Sequence, residues 1–201
     1  MSAIPKQLFG LKVEVVRSKR KTSALHIIGD ELQIRVPNRV RDGKIVEISE
    51  LIPDEEISLP NKKFFKVGIF MSVFDVHINR SPMKGKIINK NYIPGLFFNA
   101  SLDKASKENE RLCFTMDIGQ SRKIAFVQIA GLIARRIVSN IEVGSELSSG
   151  EVFGLIRFGS RVDIYFPDDS ILKVLNGQTM IAGETVIAEL KENKVVKKAK
   201  K

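Results

Sequence analysis

The chain has 201 residues, a hydrophobic fraction of 43% and a formal charge of +10. That length suits one domain, or one domain with an appendage, and the apolar content allows a real core whose aromatic weight rests on 12 Phe with no Trp. No run approaches the ~20 apolar residues of a membrane-spanning helix, and no signal-peptide apolar region opens the chain. The single cysteine, Cys113, excludes an internal disulfide, fits a reducing compartment and reads as a buried, inert thiol. The excess positive charge implies an anionic partner, either nucleic acid or an anionic membrane surface.

In chain order, residues 1–41 read as a basic β-hairpin. Leu11, Val13 and Val15 alternate with polar neighbours, Leu25 and Ile27 lead to a turn at Gly29-Asp30, and Leu32, Ile34 and Val36 alternate again. The stretches VRSKRKTSAL and LQIRVP weakly resemble the opening strands of a family of small bacterial zinc hydrolases. That family's helical pair of His flanking a Glu is absent, and the chain holds only His26 and His77, so no metal site is expected. His26 reads as a half-exposed strand residue, and the segment as an appendage or fusion remnant. At the other end, residues 191–201 form a Lys-rich, disordered tail; each Lys near anionic lipid contributes about 1 kcal/mol of attraction.

From Asp42 the texture changes. Asp42-Gly43 turns into a strand, residues 51–61 form a loop, and the near-continuous apolar run FFKVGIFMSVF (64–74) has the signature of a buried strand. DVHINRSPMKGKI (75–87) is a strand turning at Ser81-Pro82. Residues 102–111 are a short helix or ordered loop, 112–118 and 123–129 a hairpin turning at Gly119-Gln120, and 130–138 either helix or strand. In LIRFGSRVDIYFP (155–167), apolar alternation flanks a tight Gly159-Ser160 corner, which predicts a strand on each side. Glycine turns recur at short spacing, giving a mainly β chain with minor α+β character, a single β-barrel or sandwich domain over 42–190. An internal echo, IEVGSELSSGEVFGLI beside VLNGQTMIAGETVIAEL, is similar to the flattened barrel of biotinyl and lipoyl carriers. It lacks their exposed Lys, and implies a barrel-sandwich-hybrid-like C-terminal part without carrier function.

Taken together, Asp42-Gly43, FMSVFDVHINRSP (70–82), NASLDKASKENER (99–111), QIAGLIARRIV (128–138) and RFGSRVDIYFP (157–167) resemble the short, bacterial type of phosphatidylserine decarboxylase, over about residues 42–190. The resemblance implies a proenzyme, or zymogen, that cuts itself autocatalytically between Gly159 and Ser160. The β chain is then 1–159 and the α chain 160–201, with Ser160 converted to a pyruvoyl cofactor. It further implies a lyase of phospholipid biosynthesis that decarboxylates phosphatidylserine to phosphatidylethanolamine. Two departures stand out. A basic hairpin replaces the usual hydrophobic helices, and Asn38-Arg39-Val40-Arg41 replaces the usual Ser-Pro-Ala before Asp-Gly.

Within this resemblance the residue types suit the chemistry. A serine hydroxyl is weak until a base takes its proton. His77 is the candidate base, although a lone strand histidine is ordinarily structural. Asp42 is expected to hold its ring in the right tautomer. Asp75, two residues from His77 on the same strand face, offers either that role or packing. Glycine suits position 159 because it tolerates a strained turn. Arg80 and Arg135 are candidates for the substrate's phosphate or carboxylate, or for structural ion pairs. Expected partners are phosphatidylserine in an anionic membrane, the two processed chains and a second copy in a homodimer, at the cytoplasmic face of the cell membrane as a peripheral protein. Nucleic acid is not expected, since no aromatics interleave the basic strand faces. The alternative is an unprocessed, non-catalytic relative that binds lipid surfaces.

Overall fold

The computed structural model describes residues 43–72, 77–133, 136–156, 159–181 and 185–191, with the backbone of strands at 7–8, 11–15, 25–28 and 33–35. Asp42, Asp75, Arg135 and the Lys-rich tail beyond residue 191 lie outside the described residues. The chain divides into two compact units at Leu32/Gln33. In the first, Gln7–Leu8, Leu11–Val15 and Leu25–Ile28 form a three-stranded antiparallel sheet.

The second unit is mostly β. Its main strands are β1 (Gly43–Leu51), β2 (Phe64–Met71), β3 (Ile78–Arg80), β4 (Gly85–Ile93), β5 (Arg111–Asp117), β6 (Lys123–Ile129), β7 (Val152–Ile156) and β8 (Ser160–Pro167). The 64–74 apolar run becomes β2 at the predicted start. The hairpin expected over 112–129 is β5–β6, turned by Gly119, Gln120 and Ser121 at positive φ. Residues 102–111 hold only a short helix, Ala105–Glu108, and the ambiguous 130–138 stretch contributes the strand Ile137–Val138.

One eight-stranded sheet runs Glu146–Leu147, β4, β5, β6, β8, β2, β1, Thr179–Met180. Two three-stranded sheets flank it. One has β7 between Ile137–Val138 and β3, the other has Val186–Glu189 between Ile171–Leu172 and Gln33–Arg35. This arrangement is a duplication. Strands 33–35, β1, β2, β8, 171–172, 179–180 and 186–189 match, in order and pairing, β3, β4, β5, β6, 137–138, 146–147 and β7. The irregularities match too. A register shift follows Ile45 in β1 and another follows Ile87 in β4. The Ile45 amide donates to the Gln178 carbonyl at 3.0 Å, and the Ile87 amide to the Ser145 carbonyl at 2.8 Å. The sequence echo is the visible end of this repeat, whose strands 146–147 and 179–180 close opposite edges of the main sheet. Pairing those edges protects a sheet that otherwise offers two open ladders.

The second copy is inserted between β2 and β8 of the first, so the chain crosses between copies twice: from Met71 to Ile78, and from Ile156 to Ser160. The crossings lie side by side. Ser160 pairs with Met71, Leu155 pairs with Ile78, and the Ile156 amide donates to the His77 carbonyl at 3.1 Å. The Gly-Ser corner therefore connects two sheets rather than two strands of a hairpin.

Beside the crossings, three rings join β7 to the main sheet. Phe126 lies 4.6 Å from Phe153 and 5.4 Å from Phe114, centroid to centroid, in contact geometries aromatic pairs favour. All three are essentially buried. The opposite sheet face carries a second apolar cluster of Ile57, Cys113, Ala125, Val127, Ile129 and Tyr165. Truncating Phe126 to Ala leaves a cavity at the junction of the sheets and is expected to cost about 3–5 kcal/mol, read from urea unfolding of F126A against the parent.

Candidate active site

β8 is central in its sheet, hydrogen-bonded by β6 on one side and β2 on the other, and all eight of its residues are buried. Its alternation puts Ser160, Val162, Ile164 and Phe166 on one face and Arg161, Asp163 and Tyr165 on the other. Ser160 begins the strand at 0% exposure, and its Oγ has no hydrogen-bond partner among the described residues. A buried hydroxyl ordinarily finds one, so this orphan stands out chemically. Gly159 sits just outside the strand at φ 66°, a left-handed conformation that favours glycine.

His77, 8% exposed, arrives from the other crossing. The Gly159 amide donates a hydrogen bond to its Nε2 at 3.0 Å. Accepting that bond means Nε2 carries no proton, so the imidazole is poised as a base at Nε2. The contact is to the amide one residue before the Gly159–Ser160 peptide bond; no hydrogen bond joins His77 to the Ser160 hydroxyl. The structure thus brings His77 and Gly159-Ser160 together. Asp42 is outside the described residues, but Gly43 begins β1 at the same end of the sheet, where Lys44 pairs with Phe70 and Phe70 with Arg161. Arg80 Nη1 donates to the Gly150 carbonyl at 2.9 Å.

On the reverse face of β8 lies a group that the sequence reading missed. Arg161 is fully buried and pairs with Asp163 and Glu47. Lys66 binds Glu47 at 2.8 Å and lies 3.4 Å from Asp163, and it also donates to Ser106 Oγ at 2.9 Å. Two cations and two carboxylates balance. Burial pushes the Glu47 carboxyl up, but Lys66 and then Arg161 outweigh it and hold its pKa below the ordinary value. Burial likewise opposes the charge of Arg161, and Asp163 and Glu47 overcome that, raising its pKa. The guanidinium packs against Gly68 of β2, where a Cβ would stand 2.7 Å from Arg161 Cζ. The residue after Ser160 is thereby locked to the neighbouring strand.

Two further groups are near but separate. Gln128 Nε2 donates to Asn79 Oδ1 at 2.6 Å within the apolar face that Ser160 shares. A cavity of about 90 Å³ opens on the Arg161 face among Lys66, Ser106, Arg111 and Tyr165, and neither His77 nor Ser160 lines it. Burial pushes the Cys113 thiol beside it up to about 12, which leaves it inert as expected. Among the described residues no cluster of His, Cys, Asp and Glu suits a metal ion, and no helix is long and apolar enough to cross a membrane.

Comparison with known proteins bears on this geometry. The sequence profile of a family described as Phosphatidylserine decarboxylase matches residues 32–188. A protein of Rickettsia akari named phosphatidylserine decarboxylase proenzyme is 53% identical over 154 residues, 77% of this chain and 67% of that protein. Its namesakes in Rickettsia rickettsii and Rickettsia bellii are each 54% identical over 153 residues, covering 76% of this chain and 66% of theirs. The match thus spans about two thirds of these relatives' length.

The charged quartet makes two predictions. R161M leaves the buried Asp163 and the half-buried Glu47 short of a partner and is expected to cost about 3–5 kcal/mol in urea unfolding. Because the folded pKa of Glu47 is depressed, its contribution is present above its unfolded pKa, near 4.5, and is lost as pH falls through the folded value. The stability gap between the parent and E47Q therefore narrows as pH is lowered from 7 towards 3, and a constant gap contradicts the assignment.

Proposed function

We propose that this chain, which belongs to the phosphatidylserine decarboxylase family, is a proenzyme that cuts itself between Gly159 and Ser160 and then decarboxylates phosphatidylserine to phosphatidylethanolamine. The observation that carries this reading is the Gly159-Ser160 corner. A left-handed glycine is held by His77, and beside it stands a fully buried serine whose Oγ is unpartnered.

The first reaction uses the chain's own groups. His77 exchanges the Gly159 N–H for the Ser160 hydroxyl and accepts its proton, a general-base role. Asp42 orients the ring and stabilises its charged form. The Ser160 Oγ bonds to the Gly159 carbonyl carbon, and the bond from that carbon to the Ser160 nitrogen breaks, with the nitrogen taking the proton. The resulting ester loses the Ser160 Cα proton and its Cβ–O bond, releasing the Gly159 carboxylate. The dehydroalanine left at 160 takes up water and loses ammonia. Burial suits this sequence, because water that enters early hydrolyses the ester before elimination.

The residues present fit a pyruvoyl group at position 160, since the serine that would become it is buried and commits its Oγ to nothing else. When formed, that group supplies a carbonyl that condenses with the substrate amine and takes up the electron pair released with CO2. His77 returns a proton to the substrate carbon. Arg80 and Arg135 meet the headgroup phosphate or carboxylate. The charge of +10 favours attachment at an anionic membrane surface, on its cytoplasmic face.

The test is an assay of phosphatidylethanolamine formed from vesicles containing phosphatidylserine. The parent protein is expected to form it and S160A to form none. H77A is expected to slow self-cleavage by roughly 100-fold or more, the range for loss of a general base. Product from S160A overturns the proposal.

A further inference from the structure

The Gly159 carbonyl is pressed against Gly131, in the segment that follows β6. A Cβ placed on Gly131 would stand 2.9 Å from the Gly159 carbonyl carbon, nearer still to its oxygen, and 3.2 Å from Ala100 Cβ. Backbone conformation does not demand a glycine there, since Gly131 is not among the residues at positive φ, whereas Gly159 is. What excludes a side chain at 131 is the carbonyl of Gly159 itself.

The wall behind that carbonyl is rigid. The Ala130 amide donates to the Glu110 carbonyl at 3.0 Å, and the buried Asn109 side chain donates to the Ala130 carbonyl at 2.7 Å. Ala100, fully buried, also borders the position a Cβ on Gly131 would take. Gly159 is therefore gripped twice, with its N–H on His77 and its C=O on Gly131. Two such contacts on one residue fix the plane of the following peptide bond, and with it the face of the carbonyl carbon that Ser160 Oγ meets.

We propose that Gly131 is a positioning residue for self-cleavage, keeping open the space in which the carbonyl oxygen of Gly159 must lie for attack by Ser160. The inference rests on the self-cleavage reading above. As the Oγ–carbon bond forms, that oxygen takes the charge. As the carbon–nitrogen bond breaks, it becomes the ester carbonyl again. A methyl group at 131 displaces it in every one of these states. Misplacement of reacting atoms by about 1 Å costs on the order of 100-fold in rate.

The experiment follows the conversion of full-length G131A to its two fragments. Purified G131A is expected to cleave at least roughly 100-fold more slowly than the parent, while keeping the parent's near-ultraviolet circular dichroism and a single cooperative melt. Hydroxylamine, which cuts esters, separates positioning from later chemistry. It is expected to release no fragment from G131A, because the ester does not form. Cleavage of G131A at the parental rate overturns the inference, and so does accumulation of a hydroxylamine-sensitive ester, which places the block at elimination. If G131A does not fold, A100G/G131A removes the methyl at 3.2 Å and is expected to fold yet remain slow. Failure of both variants to fold overturns the inference, since Gly131 is then a requirement of the fold. A parent protein that never cleaves overturns the self-cleavage reading instead.

Discussion

The pairing of Ser160 with Met71, the last pair between β8 and β2, is the constraint on which the site depends. It holds together two strands that lead into different copies of the repeat. Because Leu155 and Ile78 pair just beyond, the two connecting segments are neighbours. His77 is the last residue of one and Gly159 the last of the other, so the hydrogen bond between them follows from register. A one-residue slip of β8 would turn Ser160 to the opposite face and place Arg161 in the apolar core. The register resists this slip because Arg161, Asp163, Lys66 and Glu47 neutralise one another only in the observed alignment. A buried ion network is a poor source of net stability but a strong penalty on wrong pairings.

The duplication explains why the site lies where it does. Each copy forms half of the main sheet and one small sheet, with β6 and β8 meeting at the centre. Insertion of one copy into the other makes two crossings unavoidable at that centre. The proposed cleavage at Gly159 would sever one crossing and leave the other. The new chain end would stay inside a strand paired on both sides, with a buried Arg161 as its second residue. A cofactor made from the end of a chain needs this anchoring, since chain ends are ordinarily the most mobile part of a fold.

Much of this was legible from local pattern. The continuous apolar run 64–74, the hairpin around Gly119 and the strand after Gly159-Ser160 are all set by short-range periodicity, and the structure follows them. The echo near residues 141–190 was visible because its glycine turns recur, yet it disclosed only the last strands of a seven-strand repeat. The other matched strands share length and pairing rather than residues, and pairing is a long-range property. Arg161 and Asp163 were illegible for a different reason. Alternation of charged with apolar residues reads as a half-solvated strand, and nothing local reveals that Lys66 and Glu47 wait on adjacent strands. Gly131, in a stretch readable as helix or strand, was illegible because its partner is 28 positions along the chain and is revealed only by the close approach of the Gly159 carbonyl.

The central claim is that the Gly159–Ser160 corner is a bond the protein breaks for itself. The most direct measurement is the intact mass of the purified protein under denaturing conditions, with fragmentation of the smaller species. Two chains are predicted, one ending at Gly159 and one beginning at residue 160 with a ketone-bearing group that lacks an amino terminus and gains mass on borohydride reduction. A single unreactive full-length chain, or a cut at any other bond, contradicts the account.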